Sequence, residues 1–117
     1  MSRIWPTQLT FKRGAKQLDI SFEDGERFSI PFELLRVESP SAEVQGHHAS
    51  QKQLVAGKSD VGIDDAEPVG RYAVRLKFDD GHSSGIFSWD YLYELGENAE
   101  AMMADYAARM AEAGLAR

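Results

Sequence analysis

An eight-residue run in the second half of the chain, RYAVRLKF at positions 71–78, constrains the fold more than any other feature. Apolar and basic residues alternate along it, which is typical of a strand with one buried face. The Asp79-Asp80-Gly81 sequence that follows predicts a tight turn, because glycine adopts positive φ without steric cost. Residues 84–88 are then expected to return as a second strand. The buried face of this hairpin should carry Tyr72, Val74, Leu76 and Phe78.

The first half of the chain has the same period of two. Alternation on both sides of an Asp24-Gly25 turn predicts a β-hairpin over residues 16–30, and residues 8–12 add an earlier strand. The alternating apolar residues are Leu18, Ile20, Phe22, Phe28 and Ile30.

Three segments are predicted to be helical. PFELLRV starts a short helix at Pro31, since proline suits the first helical positions. SWDYLYELG starts at Ser88, a capping residue, and is expected to end at Gly96. A last helix should run over residues 98–113. The predicted class is α+β: antiparallel hairpins that form a small sheet, a short helix after the first hairpin, and a C-terminal helical segment.

Size and charge exclude several classes of protein. The chain has 117 residues, which suits a single domain over residues 1–117. Its formal charge is −6 and its basic residues are scattered, which argues against binding nucleic acid or an anionic membrane. It contains no cysteine, so it has no disulfide, thiolate nucleophile or cysteine-held metal. Without a signal peptide or a long apolar run, it is expected to be a soluble cytoplasmic protein.

The polar stretch at residues 39–60 is predicted to be a long loop with a short helical turn at residues 41–44. Loops of this length in a small domain are often functional. Two adjacent histidines, His47 and His48, lie within it.

His82 follows the predicted turn of the second hairpin. A Ser-His-Asp triad needs converging groups, but neighbouring strand residues point to opposite faces, so Ser83 is not expected to meet His82. The chain also lacks the G-x-G-x-x-G, H-E-x-x-H and H-x-D patterns. No catalytic residue is predicted. His82 with His47 or His48 could hold zinc or iron, and the alternative is three ordinary histidines that hold no metal.

Two further residues are candidates for contact with a partner. Tyr91 is expected to be more exposed than Trp89, Leu92 and Leu95, which could share a core-facing side of one helix. Exposed tyrosines can anchor a partner protein, although they also lie over small cores. Arg36 ends the short helix, where it could pair with an acid, bind an anion or only complement the helix dipole.

Three stretches together resemble a known family. They are LLRVESPSAEVQGHH, the run EPVGRYAVRLKFDDGHSSGIFSWDYLYELG, and the opening hairpin. The chain is similar, over about residues 6–96, to the gamma-butyrobetaine hydroxylase-like N-terminal domain family in its small stand-alone bacterial form. The run over residues 68–96 is the most specific part of the resemblance.

The resemblance implies a particular site. In eukaryotic hydroxylases that carry this domain, three cysteines after a Leu-Arg pair and one histidine after an Asp-Gly turn hold a structural zinc. In this chain the pair is Leu35-Arg36 and the histidine is His82. The cysteine positions fall at about Ser39, Ser41 and Val44. The resemblance therefore implies the fold without that zinc site, and without the catalytic domain.

Similar domains are also fused to P-loop ATPases that carry iron–sulfur clusters. The leading hypothesis is accordingly a non-enzymatic cytoplasmic module that binds another protein, such as an iron–sulfur carrier ATPase, without a cofactor of its own. Its expected surface comprises Arg36, Ser39, Ser41, His47, His82 and Tyr91. The alternative is a metal-binding protein, related to hydroxylases, that uses His82 with His47 or His48 for zinc or iron. An enzyme ranks third.

Overall fold

The computed structural model describes residues 4–40 and 55–115. The fold consists of two three-stranded antiparallel sheets, a short helix and a long helix. In chain order the elements are β1 (Pro6–Lys12), β2 (Gln17–Phe22), β3 (Arg27–Pro31), α1 (Phe32–Val37), β4 (Ile63–Val69), β5 (Ala73–Phe78), β6 (Ile86–Ser88) and α2 (Trp89–Glu112). The α+β class is confirmed, although the hairpins build two sheets rather than one. The helical turn predicted at residues 41–44 lies outside the described residues.

The first sheet has the order β1-β2-β3, and it contains the predicted hairpin and the predicted earlier strand. On its central strand, Leu18 lies opposite Ile30 and Ile20 lies opposite Phe28. Leu18, Ile20 and Ile30 are buried because they point to the same face of the sheet. Gly25 has a φ of 90° in the turn between β2 and β3, where a side chain would be strained.

The second sheet has the order β4-β5-β6 and differs from the prediction at both edges. On one side, β4 pairs along the whole of β5, and the chain turns at residues 70–72. Tyr72 lies in this turn and is 47% exposed, so its predicted place on the buried face is wrong. On the other side, the returning strand begins at Ile86 rather than at residue 84. His82 therefore precedes the strand.

The two predicted C-terminal helices are one continuous helix, α2, and the predicted break at Gly96 is wrong. A Cβ on Gly96 would lie 2.6 Å from the Cβ of Phe28 on β3. Gly96 is thus the place where the helix meets the first sheet closely, not a helix end. The predicted cap is confirmed, since Ser88 Oγ accepts a hydrogen bond from the Tyr91 backbone N–H at 3.1 Å.

A single hydrophobic core lies between the inner faces of both sheets and the two helices. Its fully buried large side chains are Leu18, Ile20, Ile30, Phe32, Leu34, Leu35, Leu76, Phe87, Leu92, Leu95 and Met110. Tyr106 of α2 is buried as well, while Met102 is only partly buried. Within residues 4–40 and 55–115, no helix is long and apolar enough to cross a bilayer.

Candidate functional site

The carboxylate of Asp80 lies at the centre of a polar cluster between α1 and the turn that follows β5. Asp80 Oδ2 accepts from Arg36 Nε at 2.8 Å and from Lys58 Nζ at 2.5 Å. Asp80 Oδ1 accepts from the backbone N–H of His82 at 3.0 Å. The Asp80 side chain is only 18% exposed, so solvent screens these ion pairs less than pairs on an open surface.

These contacts determine the protonation of Asp80. Burial alone would raise its pKa, but the hydrogen bonds from Lys58, the His82 N–H and Arg36 outweigh that effect and hold the pKa well below its usual range. Asp80 is therefore ionised in the folded protein at neutral pH. Two cations face this one carboxylate, and Arg36 Nη1 is buried with no hydrogen-bond partner within the described part of the chain.

The side chain of His82 extends the cluster to Ser39. Its Nε2 lies 3.0 Å from Ser39 Oγ, so the two groups share a hydrogen bond. Ser39 is 0% exposed and His82 is 6% exposed. A Cβ at Gly85 would overlap Ser39 Oγ, so the absence of a side chain there makes room for the serine. The backbone of His82 also closes the turn, because its carbonyl accepts from the Phe78 N–H at 2.9 Å.

Tyr91 makes the third connection to the end of α1. Its hydroxyl donates to the backbone carbonyl of Glu38, the residue that caps α1 at its C-terminal end. Burial, followed by the negative charges of Glu38 and Glu94, raises the pKa of Tyr91 far above its usual range. Residues 36–39 are thus fixed by Asp80, Tyr91 and His82, which lie on two other parts of the fold.

The structure brings together four of the six predicted contact residues. Hydrogen bonds through Asp80 join Arg36, His82 and Ser39, and Tyr91 donates to the carbonyl of Glu38, the residue before Ser39. Ser41, His47 and His48 lie outside the described residues. Tyr91 was expected to be more exposed than Trp89, but both are partly buried against the core. The Nε1 of Trp89 donates to the Arg71 carbonyl at 2.7 Å.

Two members of the cluster were not among the predicted site residues. Asp80 was assigned only to the turn, and it does belong to that turn while also pairing with Arg36. Lys58 was unassigned in the long polar stretch. The possibility that Arg36 pairs with an acid was the one sequence indication of this cluster, and its partner lies 44 residues away.

A groove of about 600 Å³ lies beside the cluster, along α2 and the end of α1. Glu38 and Tyr91 form the end of the groove next to the cluster, and Asp105 lies at the other end. Because Tyr91 donates to the Glu38 carbonyl, the hydrogen bonds that fix residues 36–39 also fix this end of the groove.

The fold and the cluster define a small α+β domain whose α1 is joined to the β5–β6 turn by polar side chains. The chain belongs to the gamma-butyrobetaine hydroxylase-like N-terminal domain family, whose profile matches residues 9–93. No curated protein matches the chain.

Solved structures with the same fold include two solution NMR structures. One is 46% identical with a TM-score of 0.85, and the match covers 99% of this chain and 86% of that one. The other is 44% identical with a TM-score of 0.85, covering 99% and 91%. A crystal structure of a protein of unknown function from Acidithiobacillus ferrooxidans, in the DUF971 family, is 37% identical with a TM-score of 0.66, covering 78% and 91%.

The structural zinc of the hydroxylases that carry this domain does not fit the residues present, in line with the expectation of the fold without that site. Ser39 and His82 do lie side by side, as expected for two positions of that site. However, a serine hydroxyl is not the thiolate that such sites use, and the two side chains are hydrogen-bonded to each other. Among residues 4–40 and 55–115, no group of three or more His, Cys, Asp or Glu side chains is placed to hold a metal ion.

Proposed function

We propose that this protein is a non-enzymatic, cytoplasmic accessory module that binds another protein. The observation that carries the proposal is that the polar side chains of the cluster form hydrogen bonds and ion pairs with one another. Ser39 and His82, which the sequence singled out, hydrogen-bond to each other, and Asp80, which the sequence assigned only to the turn, pairs with Arg36 and Lys58. Hydrogen bonds and ion pairs of this kind hold the backbone in place, which supports a structural role for the cluster. The proposed binding function is therefore assigned to the surface around it.

The surface next to the cluster suits a binding role. Residues 36–39 are fixed from three directions, so the Glu38–Tyr91 end of the groove is held in one geometry before a partner arrives. A preorganised surface binds with a smaller loss of conformational entropy than one that must order on contact. A partly buried tyrosine at the rim is also a residue type that is enriched in binding hot spots.

The proposed setting is the maturation of iron–sulfur proteins. Its support is the resemblance to domains that are fused to P-loop ATPases carrying iron–sulfur clusters. This chain has no cysteine, so it brings no thiolate to a cluster. Its contribution would be contact with a protein that holds one.

Co-purification tests the proposal. The chain, carrying an affinity tag, is recovered from native extract at several salt concentrations, and the proteins bound to it are identified and quantified by mass spectrometry. The control is an unrelated tagged domain of similar size and net charge. We expect a partner near one-to-one stoichiometry that the control does not recover, and an iron–sulfur carrier among such partners would support the proposed setting. Recovery of no stoichiometric partner at any salt concentration would contradict the binding role.

Metal binding by His82 with His47 or His48 stays a prediction. In the described part of the chain, the Nε2 of His82 is directed to Ser39 rather than to a second metal ligand. Titration with metal ions tests this alternative independently of any partner protein.

A further inference from the structure

The groove beside the cluster combines negative charge with an apolar wall. Its lining includes Glu38, Glu94 and Asp105 as acids, and Tyr91 and Met102 as the large apolar surfaces. Among residues 4–40 and 55–115, no lysine or arginine lines it. Methionine is flexible and polarisable, so Met102 can adapt to side chains of different shapes.

The negative charge of the protein is concentrated on the helix that forms this groove. The whole chain has 19 acidic and 13 basic residues, a net charge of −6. Helix α2 alone has six acidic residues and one arginine, a net charge of −5. The charge of the protein is therefore largely a property of one helix, and part of that charge lines the groove.

The three acids of the groove differ in their surroundings. Asp105 pairs with Arg109 at 3.0 Å, but both side chains are more than half exposed, and such pairs are weak. Glu38 and Glu94 both act on the hydroxyl of Tyr91, where their charges add to the effect of burial in raising its pKa. Two of the three acids of the groove thus lie at its Tyr91 end, next to the apolar wall.

We infer that this groove binds a basic amphipathic segment of a partner protein, with apolar side chains against Tyr91 and Met102 and lysine or arginine side chains toward Glu94 and Asp105. Opposite charges attract such a segment, and the apolar wall adds burial that a simple cation would not use. This inference rests on the proposed protein-binding function and names the chemistry of the partner.

The test uses the full chain and a synthetic helical peptide in which lysine and leucine repeat at helical spacing. A peptide of the same composition in scrambled order is the control for amphipathicity. Binding is followed by isothermal titration calorimetry and by NMR shifts of Tyr91 and Met102. We expect saturable one-to-one binding of the amphipathic peptide, with the largest shifts at these two residues, and about tenfold weaker binding of the scrambled peptide.

Matched charge reversals then locate the site. Glu94→Lys with Asp105→Lys alters the groove, whereas Glu97→Lys with Glu100→Lys makes the same change of charge at exposed positions of α2 that do not line it. We expect the groove variant to weaken binding about tenfold or more and the control variant to weaken it about twofold or less, since distant exposed charges are screened. Equal loss in both variants would show diffuse attraction and would overturn the inference.

Two further outcomes separate this inference from the function on which it rests. If the groove variant still recovers a stoichiometric partner from native extract, the protein binds elsewhere, and only the groove assignment fails. If neither variant nor the unaltered chain recovers a partner, the binding function itself fails. If the peptide binds only when residues 41–54 are replaced by a glycine–serine linker of equal length, the occupant is the chain's own segment, and the inference is overturned.

Discussion

Ser39 Oγ lies 3.0 Å from His82 Nε2, and both residues are buried although 43 positions separate them in the chain. This pair lies where the family resemblance places two ligands of a structural zinc. The direct hydrogen bond joins the end of α1 to the turn after β5. The same two parts of the fold that a metal would join are therefore held together by a hydrogen bond and by the neighbouring ion pairs of Asp80.

Replacing Ser39 by alanine should destabilise the protein. The substitution removes the Oγ that His82 Nε2 contacts and leaves buried polar groups less well satisfied, for which a loss of about 1–3 kcal/mol is typical. Urea denaturation followed by circular dichroism measures the change. Ser83→Ala is the matched control, because Ser83 is an exposed serine next to His82, and its effect should be below about 0.5 kcal/mol.

A double-mutant cycle distinguishes the hydrogen bond from other effects of the same substitutions. Ser39→Ala and His82→Ala should be coupled by about 0.5–3 kcal/mol, because the two side chains are in direct contact. Additive effects would show that the pair contributes no interaction energy, and the structural role assigned to it would be wrong.

Asp80→Asn should destabilise the protein by removing the charge that Arg36 and Lys58 share. Both cations are mostly buried and would be left near each other without the carboxylate that they share, so we expect a loss of about 1–3 kcal/mol in the free energy of unfolding. Asp79→Asn is the control, since it makes the same chemical change at the preceding, exposed residue. A smaller loss in the free energy of unfolding for Asp80→Asn than for Asp79→Asn would contradict the stabilising role assigned to the ion pairs of Asp80.

The contribution of Asp80 should disappear in acid. Because its pKa in the folded protein is held below the ordinary value of 3.8, its carboxylate stabilises the fold fully at pH values above that of the unfolded chain. As the pH falls below about 4, the unfolded chain takes up a proton that the folded protein resists, and the stability falls by up to about 1.4 kcal/mol per pH unit.

Unfolding measurements from pH 7 to pH 2 on the unaltered protein and on Asp80→Asn check this dependence. The difference between the two proteins should be constant above about pH 5 and should shrink steadily below about pH 4. A difference that stays constant to pH 2 would mean that the pKa of Asp80 is not lowered by folding.

Local patterns predicted the strands better than they predicted the cluster. The period of two identifies the buried faces of β2, β3 and β5, because that signal lies within a few residues of sequence. The contact of Arg36 with Asp80 depends on the relative placement of α1 and the second sheet, which no local pattern records. Asp80 also had a sufficient local explanation as a turn residue, and this concealed its second role.

Two of the errors in the fold, at Gly96 and at Tyr72, have the same kind of cause. Glycine ends helices and also permits close packing, so the sequence alone does not separate these roles at Gly96. Tyr72 fits the alternation of β5. However, it still lies in the turn that starts at Gly70, whose φ is 58°, and the strand starts only at Ala73. In both cases a tertiary contact or a turn decided between two readings of the same residue type.

Gly96→Ala separates helix propensity from packing. Propensity alone predicts a gain of about 1 kcal/mol in a helix interior, whereas the overlap with the Cβ of Phe28 predicts a net loss of about 1–3 kcal/mol. We expect the loss, because the overlapping atom adjoins the backbone of β3 and cannot move by rotation of a side chain. Thermal denaturation measures the sign of the change. Glu97→Ala, at the exposed neighbouring position, should change stability by less than about 0.5 kcal/mol.

The histidine ring signals of the protein distinguish a metal site from a hydrogen-bonded cluster. We expect the ring signals of His82 to stay unchanged when zinc, or iron(II) without oxygen, is added to stoichiometric amounts, because its Nε2 is engaged by Ser39 and a new ligand set would have to disrupt a buried contact. The measurement is an NMR titration of all three histidines, with His82→Ala as the matched variant. Joint shifts of His82 and His47 or His48 at a near-stoichiometric amount of metal, lost in His82→Ala, would contradict this expectation and establish the metal-binding alternative. Weak and independent responses of the three rings would leave His82 as a structural residue that joins α1 to the turn after β5.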